Sequence, residues 1–202
     1  MTTRTTAPMT RVLVILGSFL VGVASVATLL HVASSRSAPA GRASAAIGGP
    51  FRLVDQEGRE MTEQAMKGRP FLVFFGFTHC PDACPTTLFE LSEVLAKLGP
   101  DASRVGVLFI TVDPERDTSA ALKDYLSNFD PHLIGLTGNP DAIASVAKEY
   151  RVYVKKVPTE GGDYTMDHTA IVYLMDRDGH FIAPFSLKRP PEDAVADLRR
   201  YL

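Results

Sequence analysis

Hydrophobic and polar positions divide the chain from residue 51 onward into short buried runs and helical spacings. Pro70-Phe-Leu-Val-Phe-Phe-Gly-Phe77 and Val105-Gly-Val-Leu-Phe-Ile-Thr-Val112 are almost unbroken apolar stretches. Both predict central strands covered on both faces. Between them, Thr86 to Leu98 places Leu88, Leu91, Leu95 and Leu98 at helical spacing, with Gly99-Pro100 as the stop. Phe51 to Gly58 predicts a short strand entering a turn. After the second long strand, Asp117 or Thr118 can cap a helix reaching about Phe129. Leu133–Leu136 reads as a short strand and Pro140–Tyr150 as a helix. Ala170–Met175 and Phe181–Ala183 flank Asp178-Gly179, a hairpin signal. Pro191–Leu202 closes the chain as an amphipathic helix.

This order predicts an α/β domain, a central mixed sheet with flanking helices. A pair of cysteines follows the first long strand directly, and that placement predicts a thioredoxin-like fold. Sites in open α/β sheets lie at the carboxyl ends of the strands. Cys80, the loop at Asp113 and the loop before Ala170 are therefore expected at one edge.

The first part of the chain has a different character. Val12 to Ala33 carries no charged residue, and about 20 apolar residues span a bilayer as a helix. The apolar region of a cleaved signal peptide is shorter, about 7–15 residues, although Ala43-Ser-Ala45 offers a cleavage site. We read residues 1–11 as a short cytoplasmic tail, 12–33 as a transmembrane anchor, 34–46 as a flexible tether and 47–202 as the thioredoxin-like domain. The tether segment is rich in Ser, Ala, Gly, Pro and Arg. Arg4 and Arg11 precede the span and Arg36 and Arg42 follow it, so basic residues hardly bias its orientation. A short tail before a single span, ahead of a large domain, points to a bacterial inner membrane with the domain in the periplasm. Those four arginines are the only charges before position 50, so residues 51–202 hold 17 basic against 23 acidic residues, a net of −6. An acidic domain is a poor nucleic-acid binder, and no nucleic-acid partner is expected.

Cys80 and Cys84 are the two cysteines of the chain, four positions apart in Gly76-Phe-Thr-His-Cys-Pro-Asp-Ala-Cys-Pro85. A lone close pair is a site, not a disulfide framework. Pro85 prefers the first helical position and disfavours α geometry before it. That predicts Cys84 at a helix cap and Cys80 in the preceding turn. A helix N-terminus lowers a thiol pKa, so an accessible Cys84 thiolate is expected. Neighbours on a helical turn have Cβ atoms roughly 5–6 Å apart, against about 3.5–4.5 Å in a disulfide. Metal clamp and reversible disulfide are thus close in geometry. Thiolates select soft ions, Cu(I) above all, whereas a structural zinc site wants four protein ligands. From the pair alone, copper binding and thiol exchange stand level, with a buried inert pair as the bland reading.

A third ligand would separate them. His79 adjoins Cys80, and adjacent side chains point apart. His132 and His180 sit in loops where a solvated histidine is the default. His168 precedes the Ala170 strand at the expected site edge, though a lone histidine is more often structural.

Three segments together carry a resemblance. Gly76–Pro85, Val112-Asp-Pro-Glu-Arg-Asp-Thr118 and Asp167-His-Thr169 resemble signatures of the Sco/SenC family, membrane-anchored copper chaperones for cytochrome c oxidase assembly. Ile47–Phe51, Leu136-Thr-Gly138 and Tyr150-Arg-Val-Tyr153 are similar to that family too, and the likeness runs in order over residues 47–202. It implies copper, as Cu(I) and Cu(II), held by Cys80, Cys84 and His168. It also implies delivery to the binuclear copper centre of oxidase subunit II, whose ligands include two cysteines. Partners would be that subunit, a periplasmic copper donor or thiol reductant, and the inner membrane. Asp167 could orient the site or be a plain exposed acid. Asp113, Glu115, Arg116 and Asp117 read as a capping and ion-pair network. The rival reading is a thiol–disulfide oxidoreductase using Cys80 and Cys84 to reduce the acceptor's cysteines before metallation. A weaker one is a peroxide-reducing or redox-sensing protein.

Overall fold

The computed structural model describes residues 47–202. The tail, anchor and tether expected for residues 1–46 lie outside the described residues. Among the described residues no helix is long and apolar enough to cross a membrane.

The chain enters through β1 (Arg52–Asp55), which turns back at Gly58 (φ +79°) into β2 (Glu60–Thr62). β3 (Phe71–Gly76) follows and leads into α1 (Ala83–Leu98). β4 (Gly106–Thr111), α2 (Ser119–Leu126), β5 (Leu133–Thr137) and α3 (Pro140–Glu149) complete two further strand–helix units. β6 (Val154–Pro158) and β7 (Tyr164–His168) form a separate two-stranded sheet. β8 (Val172–Met175), β9 (Phe181–Pro184) and α4 (Pro191–Leu198) close the domain.

The main sheet runs β2-β1-β5-β4-β3-β8-β9. β3, β4 and β5 are mutually parallel, while β1 pairs antiparallel with β5 and β8 with β3. Every residue of β3 and β4 is buried, as both-face coverage requires. Ring contacts show what covers each face. On one, Phe74 meets Phe109, which meets Tyr125 of α2. On the other, Phe75 meets Tyr150 at the end of α3 and Tyr173 of β8. A mixed sheet with flanking helices is what the order of elements predicted.

Helix starts follow their caps. The Thr118 hydroxyl accepts the Ala121 N–H at 3.2 Å, and the Asn139 side chain accepts the Ala142 N–H at 2.8 Å ahead of Pro140. Three expectations shift. α2 stops at Leu126 and not near Phe129, and α4 stops at Leu198 before a 3-10 turn over Arg199–Tyr201. β2 and the β6–β7 hairpin were not foreseen. Their burial is partial throughout, so no apolar run or clean alternation marks them.

Candidate metal centre

β3 ends at Gly76, and the chain turns over Phe77, Thr78 and His79, with the Cys80 N–H donating to the Phe77 carbonyl at 3.2 Å. Asp82 occupies the N-cap position of α1, so Cys84 lies inside the first turn and not at the cap as expected. Pro85 is tolerated there because first-turn N–H groups have no intrahelical acceptor to lose. Cys84 is fully buried, and burial pushes its thiol well above the ordinary range. The expected low-pKa, accessible Cys84 is therefore corrected. The helix-start donor serves the other sulfur: the Cys84 N–H points at Cys80 Sγ, 3.4 Å away, and Cys80 is half-buried.

Gly76 makes room for the buried sulfur. A Cβ at this position would lie 2.9 Å from Cys84 Sγ and 2.6 Å from the Phe109 ring. Gly76→Ala is accordingly expected to cost about 1–3 kcal/mol by overpacking. At about 2–4 °C per kcal/mol for a domain of this size, a thermal melt will register it. An unchanged melting temperature would mean that the sulfur has room to move.

His168 arrives on a different element, as the last residue of β7. Its ring packs edge-on against Phe77 at 5.8 Å between centroids. Its Nδ1 lies 3.0 Å from the Thr169 carbonyl oxygen, which can only accept, so Nδ1 carries the hydrogen. The Nε2 lone pair is thereby left facing Cys84 Sγ, 3.8 Å away. The hairpin base is closed by paired bonds between Tyr153 and Thr169, each 3.0 Å.

Two acidic residues anchor this edge. Asp117 faces inward, fully buried, and accepts from the Thr78 N–H at 3.0 Å, the Thr78 hydroxyl at 2.6 Å and the Thr111 hydroxyl at 2.6 Å. It ties the turn before Cys80 to the end of β4, and capping is left to Thr118. Asp113 accepts from Arg116 Nε at 2.5 Å and from the Tyr164 hydroxyl at 2.9 Å. Glu115 pairs with Lys156 at 2.6 Å. Thr78, Thr111 and Tyr164 were not singled out in the sequence. Thr78 and Tyr164 meet acids 39 and 51 positions away, which leaves no local signal, while Thr111 ends a buried strand six residues before Asp117 and reads there as part of the apolar run.

The remaining candidates lie apart from this arrangement. Asp167 is exposed, alternating with His168 along β7. His79 is satisfied by the Thr78 hydroxyl at 3.0 Å and His132 by Asp130 at 2.7 Å. Among the described residues, the one trio of possible ligand atoms already within 4.8 Å of one another is Asp176, Asp178 and His180. That trio is turn chemistry, since an Asp176 oxygen accepts the N–H groups of Asp178 and His180 at 2.9 and 2.8 Å. Cys80 Sγ thus lies more than 4.8 Å from at least one atom of the Cys84–His168 pair.

The donor set suits a soft ion. At the bond lengths zinc takes, about 2.3 Å to sulfur and about 2.0 Å to nitrogen, an angle of about 120° separates two donor atoms on one ion by about 3.7 Å. Cys84 Sγ and His168 Nε2 match that at 3.8 Å. Two sulfurs and one fixed imidazole make a three-donor site for copper and fall short of the four ligands of structural zinc.

The SCO1/SenC family model matches residues 39–202. The chain is 44% identical over 154 residues to SCO1 homolog 1, mitochondrial, of Arabidopsis thaliana, covering 76% of this chain and 46% of that protein, so it spans about half the length of that relative. Among solved structures, copper-bound ScoI of Bradyrhizobium japonicum is 66% identical with a TM-score of 0.76, covering 78% of this chain and all of that one. BsSco, described with a disulfide switch and as a member of the Sco family of cytochrome c oxidase assembly proteins, is 28% identical with a TM-score of 0.62, covering 76% and 92%. The mixed sheet and its helices are thus the thioredoxin-like Sco fold. With the family match running from before the described domain to the final residue, the chain belongs to the SCO1/SenC family.

Proposed function

We propose that this protein is a copper chaperone, anchored by residues 12–33 in a bacterial inner membrane, whose periplasmic domain loads the binuclear copper centre of cytochrome c oxidase subunit II. The observation that carries the reading is the Cys84–His168 approach at 3.8 Å, with the imidazole tautomer fixed so that Nε2 is free to bind. Copper-bound ScoI, at 66% identity, supports it. The copper ion is cargo. Cys80 and Cys84 suit Cu(I), and addition of the His168 imidazole suits Cu(II).

Transfer proceeds by ligand exchange, with acceptor thiolates replacing the donor's one at a time. Cys80 is half-buried and Cys84 fully buried, so Cys80 is the sulfur an incoming thiolate displaces first. Direction needs little bias, since a tenfold preference is about 1.4 kcal/mol. A tether raises the local concentration of the domain near a membrane-embedded acceptor.

The test is metal analysis and spectroscopy on the reduced protein, with wild type set against His168→Ala. Wild type is expected to take up stoichiometric copper. The variant should keep Cu(I) but lose Cu(II) affinity by at least about 100-fold, the upper end of what losing a ligand's hydrogen-bond partner alone costs. Zinc uptake, or Cu(II) held equally by the variant, would defeat the reading.

A second reading is favoured by the free thiols and by the disulfide switch described for BsSco. Cys80 would attack an acceptor disulfide, and Cys84 would resolve the mixed disulfide. Two thiols are thereby oxidised to one disulfide as the acceptor gains two thiols. His168→Ala should leave that exchange rate largely intact.

A further inference from the structure

The β6–β7 hairpin bonds to no other strand among the described residues, and a two-stranded sheet by itself is marginal in water. Yet it delivers His168 to the thiols. Its base is held by the Tyr153–Thr169 bonds and by Val154 and Met166 packing on the core, and its far end by Tyr164, at the opposite end of β7 and on the same face as His168. The Tyr164 ring is sandwiched between two cations, with Arg116 Cζ and Lys156 Nζ each 3.8 Å from its centroid. Its hydroxyl donates to Asp113 at 2.9 Å, and its carbonyl accepts from Arg116 Nη1 at 3.0 Å. Arg116 and Lys156 are in turn paired with Asp113 and Glu115, both in the loop after β4. A groove of about 680 Å³, lined by Ile143 and Ala147 of α3 and by Val154 and Met166 of the hairpin, leaves space between them.

The two thiols are held differently, by β3, by α1 and by the Asp117 bonds to Thr78. Replacing Tyr164 removes a hold on the imidazole's strand and leaves the bonds of Asp117 to Thr78 and Thr111 in place. Two sulfurs suffice for Cu(I), while Cu(II) draws on the imidazole. We propose that Tyr164, clamped between Arg116 and Lys156, is a positioning residue that holds the His168 imidazole at the thiol pair and so sets how fast Cu(II), but not Cu(I), is released. This rests on the copper-holding reading above.

The experiment measures release of Cu(II) and Cu(I) to a competing chelator from the full chain. The variants are Tyr164→Leu, Lys156→Met, His168→Ala and the Tyr164→Leu/His168→Ala pair. Tyr164→Leu is expected to speed Cu(II) release about tenfold, the loss of a doubly stacked ring and a charge-assisted hydrogen bond. Cu(I) release should stay within about twofold, because its two ligands are untouched. In the His168→Ala background, Tyr164→Leu should add nothing, since a residue acting through the imidazole has no route once it is gone. Lys156 is exposed, so Lys156→Met leaves the fold alone and should shift Cu(II) release in the same direction, about two- to threefold.

Equal acceleration for both oxidation states, no change in either, or a further effect in the His168→Ala background would overturn the clamp. If Tyr164→Leu does not fold, Lys156→Met decides alone, and an unchanged Cu(II) rate overturns the clamp. If His168→Ala itself keeps wild-type Cu(II), the copper reading falls and takes this proposal with it. Cu(II) lost by His168→Ala but unaffected at Tyr164 and Lys156 overturns the clamp alone.

Discussion

Cys84→Ser is expected to abolish copper retention in both oxidation states, by more than the 10–100-fold that losing a ligand's hydrogen-bond partner costs. A serine oxygen is a hard donor, poorly matched to Cu(I), and its hydroxyl is not ionised at neutral pH. The same exchange also damages the apo protein. Cys84 Sγ sits fully buried beside Gly76 and the Phe109 ring, and a hydroxyl in that apolar place costs about 1–3 kcal/mol without an acceptor. Cys80→Ser should match it in copper loss but cost less in stability, because Cys80 is half-buried and a serine oxygen there can still accept the Cys84 N–H. Copper stoichiometry with thermal melts of both variants checks the pair of statements. Copper still bound by Cys84→Ser would place the centre elsewhere.

The buried thiol also gives copper binding a pH dependence with a definite sign. Burial raises the Cys84 pKa, so the thiol is protonated throughout the neutral range and the metal must displace that proton. Apparent affinity should fall as pH falls, about tenfold per unit for each proton displaced. An accessible thiolate, as the helix-cap position suggested, would have flattened this slope near neutrality.

That contrast marks what was legible in the chain. β3 and α1 could be read because burial imposes strong periodicity, and Leu88, Leu91, Leu95 and Leu98 are all buried. Cys80 and the loop before Ala170 were expected at one edge from the order of elements, and His168 does lie 3.8 Å from Cys84. The exact turn of α1 could not be read, because the steric bias of Pro85 against a helical predecessor is only a preference, and in a first turn proline forfeits no hydrogen bond of its own. The hairpin carrying His168 was hidden for another reason. Its strands are short and half-exposed, with Lys155, Lys156 and Pro158 within β6, and their position comes in part from Tyr164 packing against the Asp113 loop. Arg116 and Tyr164 are far apart in the chain, and nothing near either residue announces the other.

Asp117→Ala is expected to be the most destabilising polar substitution at this edge. The carboxylate is fully buried and receives the Thr78 N–H and the hydroxyls of Thr78 and Thr111. All three donors lose their acceptor, each orphaned donor costs about 1–3 kcal/mol, and the two hydroxyls recover part of that by rotating while the backbone N–H cannot. A total of about 3–5 kcal/mol follows, or about 10 °C in melting temperature at 2–4 °C per kcal/mol. Asp117→Asn keeps one accepting oxygen but turns an NH2 toward groups that are themselves donors, so it should fall between wild type and alanine. Because Thr78 leads directly into His79 and Cys80, copper affinity should drop along with stability, and in both oxidation states. Tyr164→Leu acts on one oxidation state, whereas Asp117→Ala acts on both, because one residue holds the imidazole's strand and the other holds the thiol turn. Saturating copper should restore part of the loss, about 2.7 kcal/mol at 100 times the dissociation constant. An Asp117→Ala melt indistinguishable from wild type would show that the thiol turn is held by its backbone alone.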